Sequence, residues 1–349
     1  MTVKPFSIDS SLREARTPPG GFYDDAGLHQ KMLQRAFVPS WQPLLDVQEP
    51  ARWEQAPATL LPGSLDEPLL WVRDESGDRV LSNVCTHRGA LLVQSVRRGK
   101  QIACPYHGRC FDLRGEVKGA PGFAGREASL PALREVRSAS VGPMRWVSLG
   151  EPAALEESLS VLDERAPGLP WEQLRFRSSL RRDYEVGAHW ALYVENYLEG
   201  LHIPFVHPGL DRVVLRDSYT TEPVQGGVLQ TAHGRGGGPQ LPGGAAALYL
   251  WLFPNVMLNV YPWGVSLNVV QPRSVNQCVV AFRSWVWDES SLDVGAGADL
   301  GSVELEDEAV VARVRAGIGA RLYGRGHYAD PAEAGVHHFH RLLVAALWQ

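Results

Sequence analysis

Cysteine is scarce. Four in 349 residues cannot staple a disulfide-dense scaffold, so a reducing compartment is expected and any grouped cysteines need a chemical reason. Basic charge is not in excess either: 34 Lys and Arg face 39 Asp and Glu, a formal net charge of −5. That leaves no electrostatic footprint for nucleic acid. Long apolar runs are missing too. Residues 1–20 hold no stretch of signal-peptide length, and the longest apolar region, Ala245 to Val260, is interrupted by Pro254 and Asn255 and is too short to span a bilayer as a helix. A soluble, cytoplasmic protein without a membrane or nucleic-acid partner is expected. There is no repeat of fixed period, and no G-x-G-x-x-G segment between a strand and a helix offers a seat for a dinucleotide.

What is present points to strands and turns. Hydrophobic residues make up 44% of the chain, enough for one large core or two moderate ones, and 35 Gly, 25 Pro, 11 Trp, 10 Tyr and 10 Phe disfavour a helical bundle. A helical segment around Asp25–Phe37 precedes short strand-like runs at Leu69–Val72, Val80–Val84, Leu91–Val93, Ile102–Ala103, Cys110–Leu113 and Arg145–Leu149. Turn signals such as Glu75-Ser-Gly-Asp and Arg114-Gly-Glu separate them. This reads as a small antiparallel sandwich of about a hundred residues. Beyond Leu149 the pattern changes to an acidic helix (Glu151–Leu162), a strand (Leu174–Glu185), a helix (Trp190–Leu201) and a glycine-rich loop from Gly226 to Gly244. Strands at Leu248–Asn259, Val265–Gln271 and Cys278–Trp287 follow, then helices at Ser302–Arg321 and His337–Trp348. Strands flanked by helices predict an α+β domain whose sheet wraps a long helix.

Two constellations carry chemistry. Cys85-Thr-His87 and Cys104-Pro-Tyr-His107 stand sixteen residues apart, each supplying one thiolate and one imidazole. Zinc usually takes two cysteines first and two histidines later, so the order fits zinc poorly. A two-iron cluster with two histidines on one iron needs this supply from two loops. Gly89 and Gly108 beside the ligands allow tight turns that aim amides at sulfur. CTHRGALL and CPYHGRCFDLRG strongly resemble the Rieske domain, whose cofactor is a [2Fe–2S] cluster; structural zinc is the competing reading. Cys110 and Cys278 are left as small buried hydrophobes.

The second constellation is ENYLEGLHIPFVHPGL, residues 195–210. His202 and His207 are five apart, and Pro204 and Pro208 force the helix to end between or after them. Two imidazoles at a helix end suit a site of two histidines and one carboxylate that leaves positions for dioxygen, although such pairs also arise by chance. The segment resembles the iron helix of the Rieske non-heme iron oxygenases, large subunit, and the likeness runs from TPPGGFYDD to VHHFH. ENYLEGLH and GFYDD are most similar to the choline, glycine-betaine and carnitine monooxygenase branch. For the third ligand, Val303, Val310, Val311, Val314 and Ile318 form one apolar helical face, and Asp307 in VELEDEAVV lies on it. Asp307 also matches the family position; Glu304, Glu306 and Glu308 are the alternatives. Glu199 shares a face with His202, and the resemblance gives it the role of linking a cluster histidine of a neighbouring subunit to an iron ligand.

The resemblance implies a fold and a reaction. The fold is an all-β Rieske sandwich domain, residues 38–150, followed by a helix-grip (START-like) catalytic domain with a curved antiparallel sheet, residues 151–349, onto which residues 1–37 pack. The cofactors are the [2Fe–2S] cluster and a mononuclear Fe(II), the electrons come from NAD(P)H through a separate flavin and iron–sulfur reductase, and the assembly is a head-to-tail trimer. The substrates are O2 and a small molecule. Trp251, Phe253, Tyr261, Trp263, Trp285 and Trp287 are either sheet core or a cage for a quaternary amine. Hydroxylation or N-demethylation of such an amine is the leading expectation, ring hydroxylation of an aromatic compound the second, and an electron carrier or binding protein with an inactive iron site a third of another class. His337, His338 and His340 spread around a helix and read as packing groups. His189 receives no role. Arg109, where ring-hydroxylating relatives commonly carry Trp, is expected to alter the surface that meets the reductase.

Overall fold

The computed structural model describes residues 3–47 and 49–348. The chain divides into two compact units: one spans Pro39–Pro152, and the other runs to Val38 and resumes at Ala153. The first unit is made of short strands, β1 (Gln42–Pro43), β2 (Glu54–Leu60), β3 (Glu67–Asp74), β4 (Gly77–Ser82), β5 (Arg97–Arg98), β6 (Gln101–Ala103), β7 (Cys110–Asp112), β8 (Val117–Gly119), β9 (Glu135–Val141) and β10 (Met144–Ser148). Seven form a sheet in the order β1-β10-β9-β4-β3-β2-β5, and β6-β7-β8 form a second, smaller one. Alternation along β3 sends Leu70 and Val72 to one face, where they join Leu81 from β4 and Ile102 and Phe111 from the small sheet in one core. That core also holds Cys85 and Cys104. Leu91–Val93 forms no strand, only a bridge from Leu91 to Val84. Strands β2 and β9 escaped the sequence reading because EQAPATL and EVRSASV carry few apolar residues; pairing with β3 and β4 holds them in place.

The second unit is built on an eight-stranded antiparallel sheet: β11 (Arg175–Phe176), β12 (Arg182–Val186), β13 (Thr220–Val224), β14 (Gly227–Ala232), β15 (Ala247–Leu252), β16 (Val256–Tyr261), β17 (Gly264–Ser274) and β18 (Gln277–Val286). The order is β11-β18-β17-β16-β15-β14-β13, with β12 also on the edge of β18. Three sequence expectations change here. Leu174–Glu185 is not one strand, because a helical turn at Ser178–Leu180 splits it. Leu248–Asn259 is two strands, β15 and β16, since Pro254 has no N–H to give a ladder and the chain turns there. Gly226–Gly244 is not all loop: six of its residues are the fully buried β14.

The helices are α1 (Ala26–Met32), α2 (Leu155–Arg165), α3 (Trp190–Tyr197), α4 (Ile203–Val206), α5 (Pro208–Val213), α6 (Leu300–Ile318) and α7 (Ala334–Trp348). Cross-strand register lines up two rows on one face of the sheet. One runs Gln230, Tyr249, Asn259, Ser266 and Ser284; the other runs Val228, Trp251, Met257, Asn268 and Phe282. Helix α7 packs onto part of this face, with Phe339 edge-on to Trp251 at 5.3 Å. Its first turn lies so close to α3 that a Cβ on Gly335 would sit 2.5 Å from the Leu198 carbonyl oxygen. On α6, Glu304, Val311 and Ile318 are buried at seven-residue intervals, whereas Val314, expected inside, is exposed. The inward stripe is therefore rotated toward Glu304 and Asp307. Phe339 is fully buried, and Phe339→Ala should lower stability by about 3–5 kcal/mol, measured by urea denaturation of the holoprotein.

Candidate active site

In the first unit the two ligand loops are built alike. The amide of Gly89 bonds the Cys85 carbonyl at 3.0 Å and that of Gly108 the Cys104 carbonyl at 3.1 Å. Both glycines have φ of +71°, a conformation that costs a side-chain-bearing residue but not glycine. The Cys85 amide then bonds Ala90 O at 2.8 Å, and the Cys104 amide bonds Arg109 O at 2.7 Å. Like meets like across the loops: the two thiols are within hydrogen-bonding reach, and the rings of His87 and His107 lie 4.9 Å apart. Burial pushes the Cys85 thiol up against the pull of the His87 amide, while the amides of Tyr106 and His107 overcome burial and draw the Cys104 thiol down. Both cysteines are buried and His107 is exposed. The four groups do not converge on one point as a single tetrahedral zinc requires. Paired thiols beside paired imidazoles fit a two-iron cluster with thiolates on one iron and imidazoles on the other.

In the second unit α3 runs from Trp190 to Tyr197, and its N-cap is His189, whose Nδ1 accepts the Ala191 amide at 3.2 Å. Complete burial pushes the His189 imidazole well down, so it stays neutral and can accept. The residue without a sequence role thus starts the site's helix. The helix ends sooner than expected, and after it the short α4 and α5, each opened by a proline, present His202 and His207. Among the described residues, His202, His207 and Asp307 are the one set of three or more His, Cys, Asp or Glu side chains whose donor atoms lie within 4.8 Å of one another. His207 Nε2 is 3.0 Å and His202 Nε2 3.6 Å from Asp307 Oδ1. Three donors around one point, two imidazoles and one carboxylate, fit a mononuclear iron.

The surroundings hold these donors in place. Glu199 Oε1 meets His202 Nδ1 at 2.5 Å, and Glu306 Oε2 meets His207 Nδ1 at 2.7 Å, the carboxylate–histidine support usual behind metal ligands. Asn196 donates to Asp307 Oδ1 at 2.6 Å. Burial lowers the His207 pKa, but Asp307 and Glu306 more than reverse this and leave it raised. Of the alternative third ligands, Glu306 backs His207 and Glu304 accepts a 2.5 Å bond from the Tyr193 hydroxyl; neither joins the set.

The donors open on a cavity of about 100 Å³ lined by Tyr193, Tyr197, Tyr219, Tyr249, Tyr261 and Phe282, with Asn196, Asn259, Asn268 and Glu304. Of the six aromatics picked from the sequence only Tyr261 is in this lining. Trp251 packs on Phe339, Trp263 stacks on the far side of Tyr261, Trp285 meets Phe176 and Trp287 meets Trp171. Tyr193, Asn196 and Tyr197 were legible in principle, at i, i+3 and i+4 of the helix that leads to the histidines. Glu304 is 2% exposed, and burial lifts its carboxyl to about 8. Its Oε1 has no hydrogen-bond partner. The C-terminal histidines gather no metal set: His340 Nδ1 bonds the Tyr328 hydroxyl while its Nε2 lies 3.0 Å from Glu195, and His337 bonds the Asp9 carbonyl. Arg109 is 3% exposed, which corrects the expectation that it shapes an outer surface.

Residues 41–135 match the Rieske [2Fe-2S] domain, and residues 174–348, half of the chain, match the ring hydroxylating alpha subunit (catalytic domain). Choline monooxygenase, chloroplastic, from Arabidopsis thaliana is 28% identical, with 98% of this chain and 85% of that protein covered. Putrescine 2-hydroxylase from Ralstonia nicotianae is 27% identical, with 94% of each covered. A solved quaternary ammonium Rieske monooxygenase, reported with carnitine oxidation and inter-subunit electron transfer, superposes with a TM-score of 0.78 at 19% identity over 98% of this chain and 100% of that one, which carries the fold. A cluster domain joined to an iron-binding catalytic domain makes an oxidoreductase that incorporates molecular oxygen, and the chain belongs to the Rieske non-heme iron oxygenases, in the branch of the choline and carnitine monooxygenases.

Proposed function

We propose that this oxygenase hydroxylates or N-demethylates a small cationic amine, and that His202, His207 and Asp307 hold its iron while Cys85, His87, Cys104 and His107 hold its cluster. The observation that carries the substrate reading is the cavity beside the three donors, with five tyrosines and a buried carboxyl whose Oε1 is unpaired. Aromatic faces attract an ammonium by about 0.5–2 kcal/mol per contact, and Glu304, once ionised, adds a charge that a cation can pair. Choline and carnitine carry a quaternary nitrogen and putrescine two cationic ones, so the relatives' substrates share this feature. The intact three-donor set disfavours the inactive carrier.

When bound, the mononuclear iron activates dioxygen and the cluster supplies electrons singly. The chain's own residues position and exclude. Tyr193, held by Glu304, and Tyr197, which donates to Asn259 at 2.6 Å, wall the cavity; Glu199 and Glu306 fix the imidazoles so that each offers Nε2 to the metal. The absence of a dinucleotide fingerprint supports a separate NAD(P)H-linked reductase with flavin and iron–sulfur groups, in the cytoplasm; among the described residues no helix is long and apolar enough to cross a membrane. The inter-subunit transfer reported for the solved relative supports a head-to-tail trimer in which Glu199 links His202 to a neighbour's cluster histidine.

Three outcomes are expected. His207→Ala or Asp307→Ala should lower iron from about three to about two per chain while the cluster's visible spectrum persists; an unchanged count removes the ligand assignment. With a surrogate reductase, oxygen uptake should couple to aldehyde or hydroxylated product with choline, carnitine, betaine or putrescine and not with simple aromatics; uptake with aromatics alone rejects the amine. On the active amine, KM should fall as pH rises through about 8, where Glu304 ionises. In Glu304→Gln it should be pH-independent there and raised by roughly 10-fold or more.

A further inference from the structure

Arg109 follows the second ligand loop and is buried to 3% exposure. Its carbonyl receives the Cys104 amide at 2.7 Å, and its Nη1 donates to Thr86 Oγ1 at 3.2 Å. Thr86 stands between Cys85 and His87, so one residue ties the two loops together. The guanidinium lies over the Phe123 ring at 5.1 Å, and the same ring meets His87 edge-on at 5.5 Å. Nε has no hydrogen-bond partner, and among the described residues no carboxylate pairs with this guanidinium. Arginine keeps its charge at any working pH. A buried cation without an anion is costly, and the groups its charge acts on are the two thiols beside it.

We propose that Arg109 is a positioning residue for the cluster, its fixed positive charge favouring the reduced form and so raising the reduction potential. This rests on the assignment of the [2Fe–2S] cluster to these two loops. Two ferric ions, two sulfides, two thiolates and two neutral imidazoles carry no net charge. One electron from an external flavin or iron–sulfur donor turns one iron ferrous and leaves the cluster with a single negative charge. That charge is the partner the buried guanidinium lacks, and the pair forms only on reduction. Net charge and nearby polar groups are among the levers that set such potentials.

The test is a mediated redox titration of the holoenzyme, followed by the cluster's electron paramagnetic resonance signal, in wild type, Arg109→Lys, Arg109→Gln and Arg109→Met. The wild-type signal reports separately on the cluster assignment: without a Rieske-type signal that assignment fails, and Arg109 with it. Arg109→Gln keeps a polar side chain but has no charge, and it should shift the midpoint to lower potential, as should Arg109→Met; Arg109→Lys should stay near wild type. A wild-type potential in Arg109→Gln with an unchanged signal overturns the proposal. If the Gln and Met variants assemble no cluster while Lys does, the charge acts on assembly rather than on potential and the proposal falls; if Lys also loses the cluster, the role is one of shape and it falls too.

Discussion

Everything at the iron site depends on how α3 is held against α6. Tyr193 donates to Glu304 and Asn196 to Asp307, two bonds three residues apart on each helix and both spanning 111 positions of sequence. Equal offsets mean that the helices run in the same direction and are locked in one register. A slip of one residue on α6 would swing Asp307 by roughly 100° about the helix axis and take it out of reach of both imidazoles. The same two bonds place Glu304 in the cavity wall. The three grouped donors and the cavity beside them therefore share one mechanical origin.

Electrostatics follows from that arrangement. Glu304 is too buried to keep an ordinary acidity, and with Asp307 nearby it holds its proton to about 8. Asp307 is surrounded by Asn196 and two imidazoles. Two carboxyls one helical turn apart thus stand in different settings: Asp307 meets both imidazoles, while Glu304 is a mostly neutral wall that can become anionic when a cation arrives. The tyrosine hydroxyls are pushed up by burial, so they stay neutral.

The paired thiols and imidazoles of the first unit were legible because their spacing is local: each of two short loops brings its own cysteine, histidine and turn-making glycine. His202 and His207 were legible for the same reason, helped by Pro204 and Pro208. Asp307 needed a helical register, and the register used was partly wrong, since Val314 faces solvent; Asp307 survived because Val311 and Ile318 were on the stripe. The aromatic lining was the main failure. Which strand residues face the cavity is decided by pairing across β14 to β18, and which part of that face α7 covers is decided by packing, so Trp251 met Phe339 rather than a ligand. The break in Leu174–Glu185 and the burial of Gly227–Ala232 are likewise tertiary. His189 had no signal beyond its position one residue before a helix.

The two cluster loops carry almost the same backbone. Counting from each cysteine, the fourth residue is a left-handed glycine and the fifth returns its carbonyl to the cysteine's own amide. In the first loop that fifth residue is Ala90; in the second it is Arg109. A frame copied twice fixes where the metal atoms go, and the side chain hung on an equivalent peg decides how the two halves differ electrically. Shape and voltage are then separate inheritances: a lineage can retune the electron's energy at one position without rebuilding the cradle, and a change in partner or substrate need not disturb the metal chemistry upstream of it.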